Sequence, residues 1–234
     1  MIAKTKAIIL RNTNYSESSI ISKMYTREFG VRSYILQSVR KGKSAVKPSM
    51  VQPLSIVQMD VYEKPNMSLG RVKELKNTPL LINIQDNMLR KSIAMFYLEV
   101  INLCITEELC EEELFDFLEH KILTLENSPN ITLLPQRFLL DLSAFLGVSP
   151  QGSYTAQTPY LSINEGVFVP LEGSDTFNTQ ESELISSLIQ GKELEKSNAS
   201  LRKNVLQLLI RYYQHHVIKN KQIKSVDILA ELLG

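Results

Sequence analysis

Residues 31–39 alternate in a way that assigns a β-strand. Val31, Ser33, Ile35, Gln37 and Val39 fall on one face, and Arg32, Tyr34, Leu36, Ser38 and Arg40 fall on the other, because strand side chains alternate. Residues 6–10, 19–25, 54–62 and 71–75 are four further short runs of strand-forming residues bounded by turn signals. In the run 54–62, Val57, Met59 and Val61 share a face and are expected to point inward. Gly30 supplies one turn, and Pro65 and Asn66 with Gly70 supply another. Five short strands in about 75 residues suit a small closed or nearly closed barrel, because closure removes exposed strand edges.

The period then changes to that of a helix. Asn83 is the expected cap, with Asp86 three residues on, and apolar residues recur at Ile84, Met88, Met95, Leu98 and Ile105. Ile93, Phe96, Tyr97 and Val100 make this helix apolar nearly all round, which places it at the centre of a helical domain. Further helices are expected over 111–125 and 134–146, the latter stopped by Gly147 in a left-handed conformation. Residues 148–177 are rich in Pro, Gly, Ser and Thr and contain a small hairpin around Asn164-Glu165. Helices resume over 180–189, 199–217 and 225–233. The expected class is α+β: a barrel domain over 1–80, then a mainly helical domain over 81–234 with a β-hairpin insertion.

Charge sharpens this division. Residues 1–80 carry 14 Lys and Arg against 5 Asp and Glu, residues 81–180 carry 4 against 14, and residues 181–234 carry 8 against 6, although the net charge is only +1. A basic, strand-rich segment in a near-neutral molecule suggests a polyanion-binding module, with an ordinary solvated basic surface as the alternative. Hydrophobic residues make up 44% of the chain, enough for a proper core. Cys104 and Cys110 match neither a disulfide framework nor a zinc spacing and are expected to be buried apolar side chains in a reducing cytosol. The early apolar run ends at Arg11, too soon for an export signal, and no stretch is long enough to span a membrane. A soluble, cytoplasmic and nucleoid-associated protein is expected.

The candidate chemistry is that of binding. Arg40, Lys41, Gly42, Lys43, Ser44, Lys47 and Pro48 form a cationic loop between two strands. With Arg32 and Tyr34 on the preceding strand, it offers cations for phosphates and a ring for stacking. Arg71 and Lys73 extend the track. On a continuous helix, Arg211, His215 and Lys219 share a face, a second possible polyanion contact, with surface solubilisation as the alternative. The acidic residues Glu107, Glu108, Glu111, Glu112 and Glu113 suggest a nuclease metal site only weakly. Three are consecutive and diverge on a helix, and acids suit a helix start. No nucleophile elbow, phosphate-cradling loop or dinucleotide fingerprint is present. The sequence therefore predicts no catalytic residue, metal or cofactor. An RNA-binding barrel, a metal-dependent nuclease and a protein scaffold remain as alternatives.

An ordered series of segments resembles the RecO family of bacterial recombination mediators. It runs Thr5-x-Ala7-Ile8-Ile9-Leu10, Tyr15-x-Glu17-Ser18-Ser19, Tyr25-Thr26-Arg27-Glu28-Phe29-Gly30, Arg40-Lys41-Gly42-Lys43-Ser44 and Gln52-Pro53-Leu54. It closes with Ile223-Lys224-Ser225-Val226-x-Ile228-Leu229. The resemblance implies that the barrel is an OB-fold and that the protein is a non-enzymatic factor for DNA repair and homologous recombination. Such a factor binds single- and double-stranded DNA and anneals complementary strands. With its partner RecR, it helps load RecA onto DNA coated by single-strand-binding protein. Arg32, Arg40, Lys41, Lys43 and Lys47 coincide with the basic part of the family's barrel. Many members carry a four-cysteine zinc module after the helical core, but residues 149–170 here contain no cysteine, so no zinc is expected. The acidic tail of single-strand-binding protein is expected on the helical domain, with Lys91, Lys121 and Arg137 as candidate contacts.

If about six phosphates of single-stranded DNA are neutralised, log K against log salt should fall with a slope near −4. Charge reversal at Arg40, Lys41 and Lys43 together should flatten that slope by roughly two units. A slope that does not change would remove this loop from the binding site.

Overall fold

The computed structural model describes residues 2–39, 46–62, 69–106, 110–192, 198–219 and 221–232. Five strands, β1 (Ile2–Asn14), β2 (Ile20–Thr26), β3 (Gly30–Leu36), β4 (Ile56–Tyr62) and β5 (Gly70–Asn77), close into a barrel in the order β1-β2-β3-β5-β4, with β1 pairing back onto β4. Only β3 and β5 run parallel. This order is that of an OB-fold. Ala7, Ile9, Ile20, Met24, Tyr34, Leu36, Val57, Met59, Val61 and Leu75 fill the interior. The inward phase expected for β4 is therefore observed.

β1 is much longer than its apolar run because it pairs with β4 over its first half and with β2 over its second. Its register shifts between Ile9 and Arg11, which leaves Leu10 as a bulge. β3 ends at Leu36, short of the expected Val39. Ser38 takes a positive φ of 59°, and the turn delivers Val39 into the core at 2% exposure. Gly30 opens β3 at φ 64°, the left-handed turn that its lack of a Cβ permits. Pro65 and Asn66 lie outside the described residues.

The chain divides into two compact units. The first joins the barrel and α1 (Ile82–Asp86) to residues 105–127, which contain α3 (Glu112–Asn127). The second comprises residues 87–104 and 128–234. It contains α2 (Met88–Cys104), α4 (Leu134–Phe145), a two-stranded sheet of β6 (Tyr160–Leu161) and β7 (Phe168–Val169), α5 (Thr179–Ile189), α6 (Ala199–Tyr213) and α7 (Ser225–Leu232).

The helix expected from Asn83 to Ile105 is broken at Asn87. Asn83 is not its cap. Its backbone N–H donates to the Glu126 carboxylate and its side chain donates to the Glu126 carbonyl, while Asn87 Oδ1 accepts from the Arg90 N–H at the start of α2. Ile93, Phe96, Tyr97 and Val100 are buried as expected, but Met88 and Met95 are 70% and 55% exposed. Cys104 is buried and Cys110 is exposed, with its thiol donating to the Glu28 carbonyl at 3.4 Å. A carboxyl end of α4 near Leu146 and a left-handed Gly147 (φ 70°) match the sequence reading.

Residues 148–177 do not fit a four-thiolate metal site, because they hold no cysteine. Hydrogen bonds hold their shape instead. The Tyr212 hydroxyl donates to the Val148 carbonyl at 2.7 Å, His216 Nε2 meets the Ile163 carbonyl at 2.7 Å, and the Ser182 hydroxyl bridges the Leu161 N–H and the Phe177 carbonyl. At Gly166 a Cβ would lie 2.8 Å from the Tyr212 hydroxyl, so the hairpin can approach α6 only with glycine there.

The start of α7 is capped from α2. Glu99 accepts from the Lys224 and Ser225 N–H groups at 2.9 and 2.8 Å and from the Ser225 hydroxyl at 2.6 Å. Burial alone would raise the Glu99 carboxyl, but these hydrogen bonds together hold it below the usual carboxylate range. A depressed carboxyl contributes stability above its unfolded pKa and loses it as pH falls through the folded value. Glu99→Gln should therefore cost about 1–2 kcal/mol at neutral pH. In thermal unfolding, the gap to the wild type should close on acidification below about pH 4. A gap that persists unchanged in acid would remove the carboxylate cap.

Candidate nucleic-acid interface

Because the barrel interior is filled, any ligand surface lies on the outward-pointing residues or the loops. Part of that outer surface is already taken. Ile8, Tyr25, Val31 and Ile56 point outward by alternation yet are at most 5% exposed. The Tyr25 ring centroid is 6.1 Å from that of Phe115 in α3, and its hydroxyl donates to the Glu111 carbonyl. Cations ring this contact. Lys6 Nζ is 2.9 Å from Glu119, the Arg27 guanidinium makes two hydrogen bonds to Asp116 at 2.8 and 2.9 Å, and its Nη1 is 2.6 Å from Glu112. The hydrogen bond from Arg27 holds the Asp116 carboxyl below its ordinary value. The acids of α3 thus serve as counterions to the barrel. Counted over the whole first unit, 15 Lys and Arg face 14 Asp and Glu.

The remaining outer surface carries a continuous row set by strand register. Thr13 pairs with Ile21, Ile21 with Ile35, Ile35 with Arg71, Arg71 with Tyr62 and Tyr62 with Ile2. A neighbouring row runs Arg11, Lys23, Ser33. Arg11, Arg71 and Lys73 are exposed and Lys23 is half-buried. Lys73 is the bulged residue of β5, unpaired in the ladder between the Val61–Val72 and Asp60–Glu74 pairs. Beyond it the surface is mixed in sign. Lys76 is 2.9 Å from Glu74, whose carboxyl is lowered by that hydrogen bond, and Lys4 is the ladder partner of Asp60. The cations of this outer surface away from that mixed patch are Arg11, Lys23, Arg71 and Lys73.

Of the residues singled out in the sequence, Arg40, Lys41 and Lys43 lie outside the described residues. Lys47 is exposed, just before a 3₁₀ turn (Pro48–Val51) whose Val51 is buried in the barrel core and accepts a hydrogen bond from Asn12. Arg71 and Lys73 lie on the open surface. Arg32 and Tyr34 do not join them, because β3 has the opposite phase: Tyr34 and Leu36 point inward, and Tyr34 is 0% exposed. A fully enclosed ring offers no face to a base. Arg32 shares that phase and is half-buried. Its Nη1 donates to the Val31 carbonyl, about 13 Å along the strand from Leu36. Arg11, Lys23 and Tyr62 were not singled out, and extending β1 past its apolar run would have found the first of them.

In the second unit, Arg211, His215 and Lys219 are all exposed. α6 passes into a π-helical turn (Gln214–Ile218), and Lys219 takes φ 49°, so α-helical spacing does not align the three. Lys91 is exposed on α2, and Arg137 on α4 donates to the Lys192 carbonyl at 2.9 Å. Lys121 belongs to the barrel unit, its ammonium 5.4 Å from the Phe117 ring centroid. An open groove of about 420 Å³ lies between α2 and α7, with Met95, Leu98 and Ile228 as its apolar lining and Lys224 beside them. Among the described residues, no three His, Cys, Asp or Glu side chains are grouped to hold a metal ion, and no helix is long and apolar enough to cross a membrane. Glu107 and Glu108 fall outside the described residues.

Comparison with known proteins adds an independent line. Residues 1–78 match the family described as Recombination protein O N terminal, and residues 85–225 match Recombination protein O C terminal. The chain is 31% identical over 240 residues to the DNA repair protein RecO of Flavobacterium psychrophilum, with both chains covered completely. It is 31% identical over 245 residues to the protein of the same name from Phocaeicola vulgatus and 30% over 241 residues to that from Flavobacterium johnsoniae, again over the full length of each chain. With an OB-fold barrel, a helical unit and matches running through both, this chain belongs to the RecO family of DNA repair and recombination proteins.

Proposed function

We propose that the open outer surface of the barrel binds single- and double-stranded DNA through phosphates, and that the protein acts as a recombination mediator without breaking bonds. It anneals complementary strands and, with RecR, helps load RecA onto DNA coated by single-strand-binding protein. The supporting observation is the set of cations on the side of the barrel that α3 leaves uncovered: Arg11, Lys23, Arg71 and Lys73. Phosphate contacts position a strand without occupying its base edges, and annealing requires those edges to stay available. In this reading Arg40, Lys41, Lys43 and Lys47 also contribute phosphate contacts.

The test is strand annealing with complementary oligonucleotides coated by single-strand-binding protein. Reversing Arg11, Lys23, Arg71 and Lys73 to Glu should abolish annealing. It should also flatten the salt dependence of single-strand binding by roughly 0.7 unit per lost contact. Annealing and a salt slope equal to wild type in the folded variant would overturn this assignment.

For the acidic tail of single-strand-binding protein, the groove between α2 and α7 is the best-suited surface of the helical unit. It combines an apolar lining from Met95, Leu98 and Ile228 with the Lys224 ammonium, while the Glu99 carboxylate is already engaged by the cap of α7. Lys91 and Arg137 do not line it. Ile228→Glu should weaken binding of a labelled tail peptide at least tenfold, because a carboxylate would face both the apolar contacts and the acids of the tail. Unchanged peptide affinity would exclude the groove.

A further inference from the structure

Tyr62 ends β4 with its ring on the outer surface, 45% exposed, while its neighbour Val61 is fully buried. Its ladder partners are Arg71 on one side and Ile2, itself 46% exposed, on the other. Lys73 follows Arg71 by two residues, and Ile35 and Ile21 continue the same outward row. Of the other large rings of this unit, Tyr25, Tyr34 and Phe115 are each 0% exposed, and Phe29 and Phe117 are half-buried. Tyr15 is exposed at 58%, but it lies past the end of the β1–β2 ladder and has no cation as a ladder partner. Tyr62 alone among these rings combines an accessible face with adjacent cations on the ladder.

We infer that Tyr62 is a base-stacking platform that makes this surface discriminate unpaired from paired DNA. Arg71 and Lys73 hold the phosphates on either side of a nucleotide, and its base lies against the phenol ring. Every base presents a π-face, so the contact tolerates any sequence. Stacking uses the face of the base and leaves its pairing edge outward, the arrangement that an incoming complementary strand needs. Duplex DNA keeps its base faces inside the helix and meets only the cations.

This inference rests on the DNA-binding reading of the barrel, and its test separates the two. The chain contains no tryptophan, so Tyr62→Trp introduces a single indole reporter at the site. Oligothymidylate should quench that fluorescence, and blunt duplex DNA should not. Tyr62→Ala should weaken single-strand binding by roughly 5- to 150-fold while leaving the salt slope and duplex affinity unchanged, and Tyr62→Phe should retain wild-type affinity. If the Tyr62→Trp protein binds single strands with wild-type salt dependence but its fluorescence does not respond, the platform is overturned and the binding surface stands. Equal losses for single strands and duplex in Tyr62→Ala would also overturn it. Failure of the wild-type protein to bind single strands would remove both readings.

Discussion

The seating of an acidic helix on a basic barrel is the constraint that organises the first unit. α3 begins 35 residues after the last barrel strand ends, yet it returns to pack Phe115 against Tyr25. The apolar contact supplies the driving force, since outward aromatic and aliphatic side chains would otherwise face water. The ion pairs at its margin are largely exposed and contribute little to stability. Their effect is to fix orientation and sign. Lys6 and Arg27 are spent on Glu119, Glu112 and Asp116, which takes both out of the charge that a ligand can meet.

This arrangement changes how the charge pattern of the sequence should be understood. A surplus of cations in the first 80 residues suggests that the whole barrel is basic. The barrel unit is nearly neutral once residues 105–127 are counted with it, and its charge is distributed unevenly, acids gathering on α3. Separated charge of this kind steers a polyanion to one side of a molecule and leaves the other available for packing.

Much of the fold was legible because it depends on local patterns. The five strands, the inward phase of β4, the turn at Gly30, the end of α4 at Gly147 and the hairpin near Asn164 all follow from alternation, helical period or a required backbone conformation. The candidate surface was only partly legible, since outward and inward faces are decided by which phase of a strand meets the core. In β3, Ile35 and Tyr34 compete for the interior, and the barrel chose the phase of Tyr34 and Leu36. The pairing of Lys23 with Arg11 became visible only through the cross-strand register that a bulge at Leu10 sets. The displaced cap at Asn83 has a similar cause: Glu126, more than forty residues away, claims its donors.

The hairpin region of the second unit is held by a phenol of α6, an imidazole of the π-helical turn that follows it and a serine hydroxyl of α5, with a glycine permitting the close approach to α6. The hydrogen bonds that shape it are made within the polypeptide. Peroxide, which dismantles thiolate-bound modules by oxidising their sulfur, finds no cysteine in residues 148–177.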